Sequence, residues 1–464
     1  MSDSLRTVND PGDGDAVPAY DSATRTSLAI AAAAAFCTYF CMYAFRKPFT
    51  AGTFDGETLF GLDLKVALVV AQVAGYTLSK FIGIKIVSEM PAGRRALGIL
   101  SLIVAAELGL VLFAILPVGW KPLALFLNGL PLGMVFGLVI AYLEGRRQTE
   151  ALTAALSASF IVSSGVVKSV GRWLIGEAGL SEYTMPAAAG ALFFVPLLVS
   201  VWALSRTPPP GAEDRRRRAA RNAMTRDDRR QFLAAYWPGL VLMVGVYVTL
   251  TIVRTVRDDF AVEIWRDLGV AGEPSVFARS ETVVAILVTA ACALFIFVRD
   301  NRTALAVTLG LMVAGFCVAA AAAAGQGAGA LGPFPFMVAC GVGLYVPYVA
   351  FHTTVFERII AAAGRPCNIG FLMYLADSSG YLGHTALLLW RSLSRPGETI
   401  GADGDALPLF RGMLLATAAA SAVALTVATV YFLRVLRRPE EKPEEENASV
   451  VTAPASATPQ TMAV

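Results

Sequence analysis

Twelve apolar runs, each close to the length of a bilayer crossing, constrain this chain more than any other feature. They lie at about 27–50, 63–87, 95–116, 120–143, 152–175, 184–205, 233–256, 276–298, 303–324, 332–356, 367–390 and 409–434. A helix rises about 1.5 Å per residue and the hydrocarbon core is about 30 Å thick, so about 20 apolar residues suffice for one crossing. The runs fall six and six about a polar stretch, Arg206 to Gln231, which contains Pro208-Pro209-Pro210 and Arg215-Arg216-Arg217-Arg218. The expected fold is an all-α membrane protein of twelve transmembrane helices in two pseudo-symmetric six-helix bundles. Its expected parts are a cytoplasmic tail over 1–26, a bundle over 27–205, an arginine-rich linker over 206–231, a second bundle over 232–438, and a disordered tail over 439–464.

Composition agrees with that class and narrows the function. The 464 residues are 56% hydrophobic and only 16% charged, against about 25% charged in soluble domains. A formal charge of +3 gives no bulk reason to expect a nucleic-acid partner. Cys37, Cys41, Cys292, Cys317, Cys340 and Cys367 lie in or beside apolar runs without the spacing of a zinc site, and read as small buried residues. With His352 and His384 the only histidines, no metal site is expected, and nothing points to a cofactor. No GxGxxG after a strand, Gly-rich loop ending in Lys-Ser or Lys-Thr, or His-Glu-x-x-His is present, and the loops leave no room for a soluble catalytic domain. The chain is therefore expected not to be an enzyme. The first 26 residues lack a basic segment followed by a short apolar one, so no cleaved signal peptide is expected.

Orientation follows from loop cations. Arg94/Arg95, Arg146/Arg147, the linker arginines, Arg299/Arg302, Arg358/Arg365 and Arg434/Arg437/Arg438 share one side if both termini are cytoplasmic, whereas Lys121 and Arg266 are among the few on the other. The positive-inside rule then places both termini in the cytoplasm of a bacterial-type inner membrane. Against that rule, Arg46-Lys47 closes the uncharged run Ser27 to Phe45 at its outward end, and Arg254-Thr255-Val256-Arg257-Asp258-Asp259 does the same in the seventh run. The two arginines are 208 residues apart. Arg94-Arg95 and Arg302, Glu144 and Glu357, and Ser163-Ser164-Gly165 and Ser378-Ser379-Gly380 recur at similar offsets, the mark of two parallel halves with a substrate site between them.

Burying a cation in hydrocarbon costs at least about 2.5–3.5 kcal/mol, so Arg46 and Arg254 read as a two-sided clamp for an anion. The planar guanidinium donates paired hydrogen bonds to phosphate or carboxylate. A salt bridge of Arg254 or Arg257 with Asp258 or Asp259 is the alternative. Lys80 reads as a substrate contact or as the partner of Asp377, and Asp377 as that partner or a proton site. Lys168 reads as a substrate contact or the partner of Glu281. Tyr39, Tyr43, Tyr76, Trp237 and Tyr247 read as packing or interfacial residues, with Tyr43 and Tyr76, beside the cations, also able to donate to an oxyanion; Glu107 and His352 read as structural; Lys47 reads either as a support for the clamp or as an interfacial anchor.

Tyr43-Ala44-Phe45-Arg46-Lys47-Pro48-Phe49 and Ala74-Gly75-Tyr76-Thr77-Leu78-Ser79-Lys80-Phe81-Ile82-Gly83 resemble the first two helices of the organophosphate:phosphate antiporters, the glycerol-3-phosphate and hexose-phosphate carriers of the major facilitator superfamily. Phe351-His352 and Gly380-Tyr381-Leu382-Gly383 are similar in the tenth and eleventh helices. The resemblance implies a phosphate site made by Arg46, Lys80 and Arg254. A fifth-helix histidine of that family has no counterpart in Ser157 to Gly165, where Lys168 follows instead, and the family's inner-loop motif survives only as Glu89 and Gly93-Arg94-Arg95. The expected function is secondary transport of a small organic anion, a phosphorylated metabolite or phosphate, by exchange or proton coupling. The expected partners are that anion and the lipid bilayer, with the protein a monomer. A transport-inactive sensor of an anionic metabolite is the alternative.

Overall fold

The computed structural model describes residues 22–143, 149–207, 226–270, 272–293, 300–363, 369–395, 398, 400–401 and 404–436. Arg146, Arg147, Arg299, Arg365 and Cys367, the linker segment 208–225 and the tail from 437 onward lie outside them. Helix α1 is Ser22–Tyr43, α2 Leu64–Glu89, α3 Arg95–Ile115, α4 Lys121–Leu143, α5 Thr149–Gly176 and α6 Met185–Ser205. Next come α7 (Arg226–Asp259), the short α8 (Ala261–Asp267), α9 (Ser275–Ala293) and α10 (Asn301–Gly327). The tenth apolar run holds α11 (Pro333–Ala350), a π turn at Phe351–Val355 and α12 (Phe356–Ala363), and the chain finishes with α13 (Ile369–Ser394) and α14 (Ala406–Val435). Every apolar run read from the sequence carries a long helix. Among the described residues nine helical spans are both long and apolar enough to cross a bilayer, and the chain is a multi-pass membrane protein.

Boundaries differ from expectation in two places that matter. Helix α7 begins at Arg226, so the end of the expected 206–231 linker is already helical. Helix α1 stops at Tyr43 instead of running to 50, and Pro48, which has no backbone N–H to donate, does not resume it. The proline opens a 3₁₀ turn at Pro48–Ala51 instead, and the chain between them turns on hydrogen bonds from Arg46 N and Lys47 N to the Tyr43 carbonyl. A small hairpin, β1 (Thr58–Leu59) with β2 (Leu62–Asp63), leads into α2. Asp63 caps α2 by accepting from Val66 N, and also accepts from Ile400 N at 2.8 Å. Burial raises its pKa above the ordinary carboxylate value against those two backbone donors.

Helices α1–α6 pack on one another through α1–α4, α1–α5, α1–α6, α2–α4, α3–α4 and α3–α6. The second group repeats the pattern, helix for helix: α7–α11, α7–α13, α7–α14, α9–α11, α10–α11 and α10–α14. The two groups meet symmetrically along α2–α13 and α5–α9. Outward faces carry Leu108, Val195, Trp202, Leu382 and Val423, all exposed as lipid-facing side chains are. Cys37 and Cys317 are exposed with them, which corrects the expectation that the cysteines are buried; Cys41, Cys292 and Cys340 are buried and unpaired.

Between α2 and α4 the backbones touch through glycine. A Cβ on Gly129 would lie 2.3 Å from the Gln72 carbonyl oxygen, and one on Gly75 2.2 Å from that of Phe126, the small-residue contact by which membrane helices associate. Gly129→Ala is expected to cost about 1–3 kcal/mol by forcing the helices apart, read as a lower melting temperature in detergent. Gly93→Ala, with open space around it, is expected to stay within about 0.5 kcal/mol of the parent.

Candidate functional site

A cavity of about 310 Å³ lies between the two groups of helices. Its upper end, taken here as the end at which α1 stops, is walled by Arg46, Lys47, Arg254, Asp258 and Asp259. From there it descends past Tyr76, Lys80, His352 and Asp377 to Val87, Ile140 and Met373.

Arg46 is held by its backbone. Its carbonyl accepts from Gln72 Nε2 at 2.7 Å, and that same nitrogen lies 2.7 Å from Asn128 Oδ1. Asn128 Nδ2 donates to the carbonyls of Phe45 and Ala106, both at 2.8 Å. The turn after α1 is thus pinned to α2, α3 and α4 by two buried amides, which satisfy carbonyls left open where the helix stops. Neither Gln72 nor Asn128 was singled out from the sequence; the available signal was an amide inside an otherwise apolar run. The guanidinium of Arg46 lies 3.9 Å from the centre of the Tyr76 ring and 5.9 Å from that of Tyr43.

Arg254 reaches the same cavity from an unbroken helix, so the sequence repeat does not extend to local conformation. Its guanidinium lies 4.1 Å from the centre of the Tyr348 ring. Thr255 Oγ1, at 3.5 Å, is its nearest hydrogen-bond partner. The Nε atoms of both arginines are buried and unpartnered, and among the described residues neither guanidinium has a carboxylate within 4.0 Å. Cation–π contact supports each head, at about 2 kcal/mol or more when desolvated, and leaves its positive charge uncancelled.

The lysines around them are matched. Lys47 Nζ sits 2.6 Å from Asp258 Oδ2 and 2.5 Å from Asp259 Oδ1, so the interfacial-anchor reading of Lys47 is set aside. Lys168 also bonds to Asp258, as does Ser164. Lys65 pairs with Glu263 at 2.5 Å, and Arg266 with Asp55 at 2.7 Å. Each of these bridges joins the first group of helices or its loops to the second, and together they close the upper end. Asp258 and Asp259 end α7, where the helix dipole disfavours carboxylates, and the facing lysines offset that cost.

Lower in the cavity Lys80 bridges to Asp377 at 2.5 Å, as one of its two readings anticipated. Tyr247 also donates to Asp377, so it does more than pack. His352, on the π turn, places Nε2 at 4.0 Å from Asp377 while Nδ1 lies 2.9 Å from the Tyr348 carbonyl oxygen.

Two expected pairings are corrected. Lys168 pairs with Asp258, not Glu281, and lies behind that carboxylate, away from the cavity wall. Glu281 pairs instead with Arg257 at 2.8 Å. The salt-bridge alternative for Arg254 or Arg257 is likewise overturned: Arg257 takes Glu281, and Asp258 and Asp259 take lysines. Tyr43, Tyr76, Lys47, Lys80, Arg46, Arg254 and Asp377 all line the cavity. Glu107 stands apart on α3, half-buried, with Oε2 unpartnered.

Counting the cavity's cations with Lys168 behind them gives five, Arg46, Lys47, Lys80, Lys168 and Arg254, against three carboxylates, Asp258, Asp259 and Asp377. Two positive charges remain, and they belong to the two arginines.

Solved structures share this architecture. A D-xylose-proton symporter aligns with a TM-score of 0.55 at 13% identity, covering 85% of this chain and 96% of its own. A peptide transporter of the POT family in complex with alafosfalin gives 0.56 at 14%, covering 88% and 94%, and a nucleoside transporter 0.52 at 12%, covering 88% and 99%. At such identities the likeness establishes the fold, that of the major facilitator transporters. No curated protein matches the sequence. A family profile described as a family of unknown function, DUF5690, matches residues 48–435. That match takes in most of the chain, from the turn after α1 to the end of α14, and the protein belongs to the DUF5690 family.

Proposed function

We propose that this protein is a secondary transporter of a small organic anion bearing a phosphate or a comparable dianionic group, moved by alternating access. The observation that carries the reading is the pair of buried arginines, each stacked on a tyrosine and lacking a carboxylate, in a cavity whose other cations are all matched. A phosphate group, close to doubly charged at neutral pH, balances the two charges left over. The resemblance of the Arg46 and Lys80 segments to organophosphate:phosphate antiporters supports the same substrate class, and the transporter fold supports translocation.

In this reading both termini are cytoplasmic, and the upper end, closed by the bridges of Lys47, Lys65, Lys168 and Arg266, faces outward. The halves that rock are 27–205 and 232–438, joined by the basic linker. Without substrate, two like charges line one cavity from opposite groups of helices and oppose closure about it; an anion bound by both removes that repulsion. Reorientation then requires substrate, which favours exchange, with Asp377 as the group available for proton coupling.

The test is exchange in proteoliposomes. Vesicles loaded with inorganic phosphate are expected to take up labelled phosphate, and unloaded vesicles to take up far less. Phosphate binding without flux would instead identify a sensor, and failure to bind phosphate or any organic phosphate would remove the reading.

A further inference from the structure

The cavity is not uniformly polar. Below the arginines its wall on the α2, α4 and α5 side is Val73, Met134, Phe136, Ile140 and Phe160, joined from α13 by Met373. Several of the polar groups that remain are committed, while the Tyr39, Tyr43, Tyr76, Tyr348 and Tyr381 side chains also line the cavity. Gln72 Nε2 serves Arg46 and Asn128, Asp377 is held by Lys80 and Tyr247, Asp258 and Asp259 by lysines, and Thr255 by Arg254. Tyrosine rings stack beneath the guanidinium groups at the cationic end. Along the α2–α4 wall itself Val73, Met134, Phe136 and Ile140 offer no hydrogen-bonding side chain to a row of hydroxyls.

Resting on the anion reading above, we propose that the substrate is an amphipathic phosphate monoester, its dianionic head between Arg46 and Arg254 and an aryl or short alkyl substituent against the α2–α4 wall. The two uncompensated charges select a dianion over a monocarboxylate. The hydrocarbon wall selects an apolar substituent over a polyol, since burying hydroxyls without partners is costly while burying apolar surface is favourable. Fold and charge alone would accommodate a sugar phosphate equally well; the wall chemistry separates the two.

The experiment is a titration series on the purified full-length protein in nanodiscs with three probes of matched charge: inorganic phosphate, glycerol phosphate and phenyl phosphate. Phenyl phosphate is expected to bind at least about tenfold more tightly than glycerol phosphate, a difference of about 1.4 kcal/mol. Ile140→Asn is expected to narrow that ratio several-fold. Glycerol phosphate binding as tightly as phenyl phosphate, or more tightly, overturns the proposal while leaving the anion site standing. If none of the three binds, the anion reading itself is overturned and the proposal with it. A ratio unchanged by Ile140→Asn places the substituent elsewhere and overturns the assignment to this wall.

Discussion

Arg46→Lys and Arg254→Lys are each expected to weaken phosphate binding about 10- to 100-fold, and the double variant to abolish it at millimolar phosphate. Both substitutions keep a cation, so bulk charge changes little. What is lost is the planar fork with its parallel donors and the face that stacks on Tyr76 or Tyr348. A hydrogen bond to a charged group contributes about 1.5–3 kcal/mol, which sets the range. Arg46→Gln, which also removes the charge, is expected to lose more than Arg46→Lys. Equilibrium binding of inorganic phosphate measures each variant, and a melt without ligand checks folding. If both lysine variants bind as tightly as the parent, the arginines are not a clamp.

Much of the fold was legible because apolar runs in lipid leave the backbone no alternative to helix formation. The 208-residue spacing of Arg46 and Arg254 pointed to the repeat that the helix pairings display. Of the side-chain pairings, Lys80 with Asp377 was readable because adjacency of the second and eleventh transmembrane segments brings one lysine to one carboxylate. Lys168 was misassigned by the same logic. Fifth and eighth segments do pack together, as α5 on α9, but Lys47 and Lys168 converge on Asp258 at the end of α7, while Arg257 claims Glu281. Adjacency of helices fixes which residues are near, whereas competition among several charges fixes which of them pair. Pro48 marked a turn near the end of the first run but not the stop at Tyr43. The amides of Gln72 and Asn128 that hold the turn show in the sequence only as lone polar residues in apolar runs, since they act across three helices.

Asp258 gives that competition a measurable consequence. It accepts from Lys47, Lys168 and Ser164 at once, linking α5 and the turn after α1 to the end of α7. Asp258→Asn keeps the shape and one acceptor but removes the charge. Lys47 retains Asp259 at 2.5 Å; Lys168 has no second carboxylate within 4.0 Å among the described residues, and Glu281 beyond it is held by Arg257. Leaving a buried cation unpaired costs about 3–5 kcal/mol, so a large fall in melting temperature is expected, together with a looser upper end. A cysteine placed at Thr255 should then react faster with an impermeant thiol reagent added from that side. Asp259→Asn is expected to cost less, since Lys47 keeps Asp258. Adding Lys168→Met to Asp258→Asn removes the stranded charge, and the pair is expected to recover most of the lost stability, as coupled neighbours do in a double-mutant cycle. Strictly additive losses would mean that Lys168 and Asp258 do not hold the two groups of helices together at this end.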